Sequence, residues 1–224
     1  RPAAPVPPFA DRIPTLALGR PVLVAGSWAD EEVSVLVEAR ASMRAQGTDP
    51  FLIVAPRRIE SFEMVASRLE NAGLATLRRT RLAPDALAAP LPPADVLVLD
   101  SVGELAGAYA LGCVAILGGT FAPKGGHNVL EPLRCGVPTI VGPSTENIAG
   151  TLAAAQGAVF PVSDASSLAA AAVRLVGDPA LRQRAARAAE ALFLRHAGAT
   201  ARSTDAALTL LDASRARRDT SESV

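Results

Sequence analysis

The chain has 224 residues, half of them hydrophobic, and its 22 basic side chains balance 22 acidic ones. That length can bury a substantial core in one large domain, and the composition excludes a disordered chain. With no net charge there is no electrostatic drive toward bulk nucleic-acid binding, and nucleic acid is not expected as a partner.

No apolar run reaches 18 residues, so no transmembrane helix is expected. Cys113 and Cys135 are too few for a disulfide framework; their apolar surroundings read as buried free thiols in a reducing compartment. Lys124 is the only lysine, and the skew toward Arg, Ala and Pro fits codon bias better than function. The first residue is Arg1, with neither an initiator Met nor a signal-like apolar region, which is expected of a piece of a longer protein.

Residues 1–20 hold five prolines and read as a linker or a segment packed over the surface. "PVLVAG" (21–26) is a continuous apolar run, the pattern of a strand buried on both faces. A helix is predicted from Asp30 to Ala45, then a strand in "FLIVAP", a helix in "IESFEMVASRLENAG" and a strand in "LATLRRT". A Pro/Ala-rich loop at 82–94 leads to a strand in "DVLVLD". A short helix in "VGELAGAYALG", a strand in "CVAILGG", a helix in "VLEPLRCG" and a strand in "VPTIVG" follow. Residues 145–156 read as helix and "GAVFPV" as a short strand. "DASSLAAAAVRLVGD" opens with an Asp–Ser cap signal. Residues 179–214 read as one or two helices, and 215–224 as a disordered tail.

Strand–helix alternation over residues 21–214 predicts a Rossmann-like α/β domain, a mostly parallel sheet with helices on both faces. Ligands of such sheets bind at the carboxyl ends of the strands, near the point where strand order reverses. That rule selects Gly26-Ser27-Trp28, Pro56-Arg57-Arg58, Ser101-Val102-Gly103-Glu104 and Gly118-Gly119-Thr120. The dinucleotide fingerprint G-x-G-x-x-G and the phosphate loop G-x-x-x-x-G-K-[ST] are both missing, which disfavours NAD and P-loop chemistry.

Each remaining motif has a functional and a bland reading. Arg57 and Arg58 at a strand tip can grip a phosphate bidentately, or form a solvated pair. Gly103 and Glu104 at a helix start offer free backbone N–H groups, or Ser101 and Glu104 form a capping box. In "GGHNVLEP", Gly125 and Gly126 allow close backbone approach. Pro132 sets Glu131 near a helix N-terminus, where its carboxylate can accept two ribose hydroxyls; alternatively Asn128 and Glu131 merely cap that helix. Three such loops at neighbouring strand ends favour a nucleotide site. His127, His196 and the cysteines are expected to be structural, and no metal site is expected.

"GGTFAPKGGHNVLEPLRCGVPTIVGP" (118–143) resembles a pattern of the Kdo transferases (3-deoxy-D-manno-octulosonic acid transferases), G-G-[ST]-…-G-G-H-N-x-L-E-P…G-x-P…G-P. "DSVGEL" is similar to the family's D-[TS]-x-G-E-L, and Pro56-Arg57 to its P-R-H. The likeness runs from about residue 20 to 195. Two departures stand out: Ala29 and Glu31 replace the His and Gly of a G-S-x-H-x-G-E pattern, and Arg58 replaces the His of P-R-H.

The resemblance implies the C-terminal half of a GT-B glycosyltransferase, binding a CMP-sugar as donor substrate and needing no cofactor. Pro56, Arg57 and Arg58 would lie at the CMP phosphate, and Gly103, Glu104 and Leu105 would read cytosine, largely through backbone. Gly126, Asn128 and Glu131 would hold ribose and phosphate, and Ser27 would lie beside the donor sugar. It also implies an inverting transferase moving Kdo or a related acidic sugar onto a lipid A-type acceptor. The catalytic base would belong to an N-terminal acceptor domain at the inner face of the bacterial cytoplasmic membrane. No catalytic residue is expected in this chain, which is expected to be inactive alone. Two other readings stay open: a transferase using a UDP-sugar, and a degenerate nucleotide-binding module without catalysis.

Overall fold

The computed structural model describes residues 5–82, 91–196 and 208–210. Most of the expected 82–94 loop and the whole 215–224 tail lie outside the described residues. The described residues up to Glu190 form one compact unit, and the described residues from Ala191 onward belong to a second.

Seven strands form the sheet: β1 (Val22–Trp28), β2 (Phe51–Pro56), β3 (Thr76–Arg78), β4 (Val96–Val98), β5 (Val114–Leu117), β6 (Thr139–Val141) and β7 (Val159–Pro161). Their order is β3-β4-β2-β1-β5-β6-β7, and every pairing is parallel. The helices are α1 (Ile13–Ala17), α2 (Val33–Ala45), α3 (Phe62–Asn71), α4 (Leu105–Ala108), α5 (Leu130–Arg134), α6 (Ala149–Ala154), α7 (Ala165–Gly177) and α8 (Pro179–His196). Among the described residues, no helix is long and apolar enough to cross a membrane.

The apolar strand runs are explained by burial on both faces, with successive residues pointing to opposite sides. Leu23 and Ala25 of β1 join α2, α3 and α7 residues such as Leu36, Met43, Leu69 and Leu175 in one core. Val24, between them, joins Phe51, Ile53 and Tyr109 in the other. The cap expected at α7 is present: the Asp164 carboxylate accepts from Ser167 N at 2.8 Å.

Of the two readings for residues 1–20, packing against the domain is what the described part displays. Phe9, Ile13, Leu16 and Ala17 are buried in the second core. Prolines interrupt the segment, yet Ile13, Leu16 and Ala17 follow helical spacing. Cys113 and Cys135 are free thiols, half-buried rather than fully enclosed, and burial pushes both pKa values up.

Charge at the amino edge of the sheet is structural. Arg40, 2% exposed, bridges Asp95 at 2.6 Å and Asp49 at 2.8 Å, and Asp95 also accepts from Arg20. Asp95 and Arg20 sit just before β4 and β1, so this network ties strand entrances and leaves the carboxyl edge open for other work.

Candidate functional site

The strand order reverses direction between β1 and β5: the chain runs outward from β1 to β2 and later returns to β5 on the other side. At this point β1 is irregular. Its register with β2 breaks between Ala25 and Trp28, and Ser27 takes φ 55°, uncommon for a residue with a side chain. The distortion turns Ser27 toward the open edge while the Trp28 ring packs into the core, 5.9 Å from the Phe121 ring.

The loops after β1 and β5 are joined by Glu32, which matches the final Glu of the G-S-x-H-x-G-E pattern but was not among the expected site residues. Glu32 is 1% exposed, and its two carboxylate oxygens accept four backbone N–H groups. Ala29 N lies at 3.0 Å and Gly119 N at 2.8 Å from one oxygen; Phe121 N at 2.7 Å and Ala122 N at 3.1 Å approach the other. A buried polar group on this scale needs full satisfaction, and here the acceptors and donors match.

Two clefts open along the carboxyl edge and share Arg57. One, of about 230 Å³, is lined by Ser27, Pro56, Arg57, Gly103 and Leu105 with apolar walls from Phe62 and Leu99. The other, of about 300 Å³, is lined by Ala29, Asp30, Glu31, Arg57, Arg58, Ser61, Lys124 and His127. Arg57 is positioned by its own backbone, whose N–H donates to Trp28 O at 2.9 Å. The first cleft is mostly apolar, and the second is lined by charged side chains. His127 is half-buried; burial first, then the charge of Arg57, pushes its pKa below the ordinary value against the pull of Glu32. Sequence reasoning expected a structural loop His here, whereas the ring also lines the charged cleft and lies against Gly119.

The third loop takes the local geometry its glycines require. Gly125 and Gly126 have φ 77° and 82°, and Gly126 N donates back to Gly119 O at 2.8 Å. Asn128 Nδ2 donates to Glu131 Oε1 at 3.1 Å, while Asn128 Oδ1 accepts from Leu130 N. Asn128 thus closes a local turn just before α5, whose N-cap is Val129 without a side-chain cap bond, and it orients the Glu131 carboxylate at the N-terminal turn of α5. Neither residue lines the two clefts above. Burial, then the charge of Glu131, pushes the Tyr109 phenol pKa up, and the Tyr109 hydroxyl lies against Gly26.

Glu104 is committed elsewhere. Its carboxylate accepts Arg79 Nη2 at 2.8 Å and Nε at 3.1 Å, and Ser101 Oγ donates to it. The Ser101–Glu104 pairing is thus side chain to side chain, and what this loop offers a ligand is the backbone around Gly103, whose φ is 90°. Among the described residues, no group of three or more His, Cys, Asp or Glu side chains is placed to hold a metal ion.

No protein-family model matches the chain. It is 39% identical over 195 residues to a 3-deoxy-D-manno-octulosonic acid transferase of Bordetella pertussis, covering 85% of this chain and 45% of that protein. It is 30% identical over 189 residues to the transferase of the same name from Haemophilus influenzae, covering 83% and 43%. The chain therefore spans about half the length of these curated relatives. Among solved structures it is similar to the C-terminal CMP-Kdo binding domain of WaaA from Acinetobacter baumannii, with TM-score 0.72 and 28% identity over 82% of this chain and 95% of that one. The chain belongs to the 3-deoxy-D-manno-octulosonic acid transferase family and has the Rossmann-like architecture of the C-terminal half of a GT-B fold.

Proposed function

We propose that this chain is the donor-binding domain of an inverting glycosyltransferase, holding a CMP-sugar whose sugar is Kdo or a related acidic sugar. The observation that carries the reading is the pair of clefts sharing Arg57 at the reversal point of the sheet, one mostly apolar and bordered by Gly103 and Leu105, the other charged. A nucleoside fits the first, with cytosine edges met by backbone near Gly103 and Leu105. The phosphate sits at Arg57, with Arg58 behind it, and the charged cleft takes the sugar. Glu131, oriented by Asn128, accepts the ribose hydroxyls beside the glycine turn at Gly126.

The chemistry then divides between domains. An acceptor hydroxyl of a lipid A-type molecule attacks the anomeric carbon, the bond from that carbon to the CMP phosphate oxygen breaks, and the hydroxyl proton passes to a base. In this reading the base and the lipid-facing surface belong to an N-terminal domain at the inner face of the cytoplasmic membrane. Here Arg57 stabilises the charge that develops on the departing CMP, a role best filled by a preorganised cation. Turnover requires both domains, and this chain alone binds without reacting.

Calorimetric titration with CMP, UMP and UDP tests the reading. CMP preference supports it, uridine preference points to a UDP-sugar donor, and silence with all three leaves a degenerate module. Glu131→Ala is expected to weaken CMP binding by ~1–3 kcal/mol, the scale of hydrogen bonds to a charged acceptor. Unchanged affinity would remove Glu131 from the ribose.

A further inference from the structure

The charged cleft contains a pair that the donor-binding scheme leaves unused. Lys124 Nζ lies 3.2 Å from Glu31 Oε1, joining the loop after β5 to the loop after β1 across the cleft. We propose that Lys124 is a specificity-determining residue that binds the carboxylate of an acidic donor sugar, and that Glu31 holds it in place until the donor arrives. The inference rests on the donor-binding reading and adds the residue that selects the sugar.

Three observations support it. First, the backbone under Lys124 is fixed. Lys124 O accepts from Asn147 Nδ2 at 2.9 Å, Lys124 N donates to Ala122 O at 2.7 Å, and the neighbouring Gly125 N donates to Ser144 Oγ at 2.9 Å. The cation is thus delivered to the cleft by an ordered loop. Second, the pair is easy to exchange. Its side chains are 44% and 53% exposed, and ion pairs this open contribute little, typically 0–1 kcal/mol. A ligand carboxylate that excludes water from the cleft competes well against such a partner. Third, the same cleft offers few other cations for a sugar carboxylate. Ala29 and Ser61 carry no charge, Asp30 and Glu31 are acidic, and burial holds His127 toward its neutral form. Arg57 and Arg58 follow the end of β2, where the phosphate is placed, so Lys124, on the loop after β5, is the lining cation left for the sugar.

Glu31 has a second consequence. Without Lys124 it would present a bare negative charge to an anionic sugar, so the two residues act as a unit that admits an acid only when the lysine is there to receive it.

The experiment compares CMP with CMP-Kdo by calorimetry in the unaltered chain, Lys124→Ala and Lys124→Ala/Glu31→Gln. Lys124→Ala is expected to lower CMP-Kdo affinity about tenfold and leave CMP within about twofold. The double variant is expected to recover part of that loss, because the repelling carboxylate is gone. Equal losses for CMP and CMP-Kdo would overturn the proposal by making Lys124 a phosphate contact, and no loss for either would overturn it too. If the unaltered chain binds CMP but not CMP-Kdo, the sugar subsite fails while the nucleotide reading stands. If it binds neither, both fail.

Discussion

Glu32→Gln is expected to lower the unfolding free energy by about 3 kcal/mol, and Glu32→Ala by more. The carboxylate accepts four N–H groups from two loops and offers only acceptor sites, which is what four inward-pointing donors require. Gln keeps the length and one oxygen but turns an NH2 group toward two of those donors. Each buried donor left unpaired costs roughly 1–3 kcal/mol, and the site has no water-exposed escape because Glu32 is 1% exposed. Urea denaturation followed by circular dichroism reads the change as a lower midpoint. A shift under about 0.5 kcal/mol, the range of ordinary surface substitutions, would show that the loops can re-pair without the carboxylate. The variant also bears on function. Since Glu32 fixes Ala29 against Gly119 and Phe121, the folded fraction of Glu32→Gln should bind CMP more weakly than the parent chain.

Glu32 also marks where sequence reading stopped. In the sequence it is the last of three acidic residues at a helix start, a place where acidic side chains are common for dipole reasons. Only the final Glu of the G-S-x-H-x-G-E likeness marks it off from Asp30 and the exposed Glu31; its burial could not be read there, because its partners Gly119 and Phe121 come from the loop after β5, far along the chain. The Lys124–Glu31 pair was illegible for the same reason. Features carried by local pattern fared better. The apolar runs located the strands, since two-sided burial leaves no polar alternation, and helix ends followed Gly and Asp–Ser signals. The glycines and Pro132 of "GGHNVLEP" specified the turn and the helix start, so the Asn128–Glu131 contact followed from spacing. In residues 1–20 the signals conflicted: prolines suggested an irregular segment, while Phe9, Ile13 and Leu16 carried the apolar face that packs on the core.

Gly118→Ala is expected to destabilise the chain by about 3 kcal/mol, at the upper end of ordinary overpacking, and for a reason different from most glycine substitutions. The residue does not need a left-handed backbone, unlike its neighbour Gly119 at φ 71°. What it needs is space. A Cβ at position 118 would meet Ser27 O and lie 2.7 Å from Ser27 C and Trp28 Cα, all of them backbone atoms that no rotamer change can move. Gly118 N donates to Gly26 O at 2.9 Å at the end of the β1–β5 ladder, so the added methyl must part the two strands where the clefts begin. Ser27 already sits at an unusual φ there, and displacing it should also reduce CMP affinity. Gly150→Ala provides the matched control: a Cβ there has no atom within 4 Å, and the residue lies in α6. That change should be neutral or stabilise by up to about 1 kcal/mol through helix propensity. Similar urea midpoints for the two alanine variants would mean that the β1–β5 approach is slack, and the close packing argued for the site would then be wrong. A large loss confined to Gly118→Ala would tie the stability of the strand junction to the same few ångströms that shape the donor site.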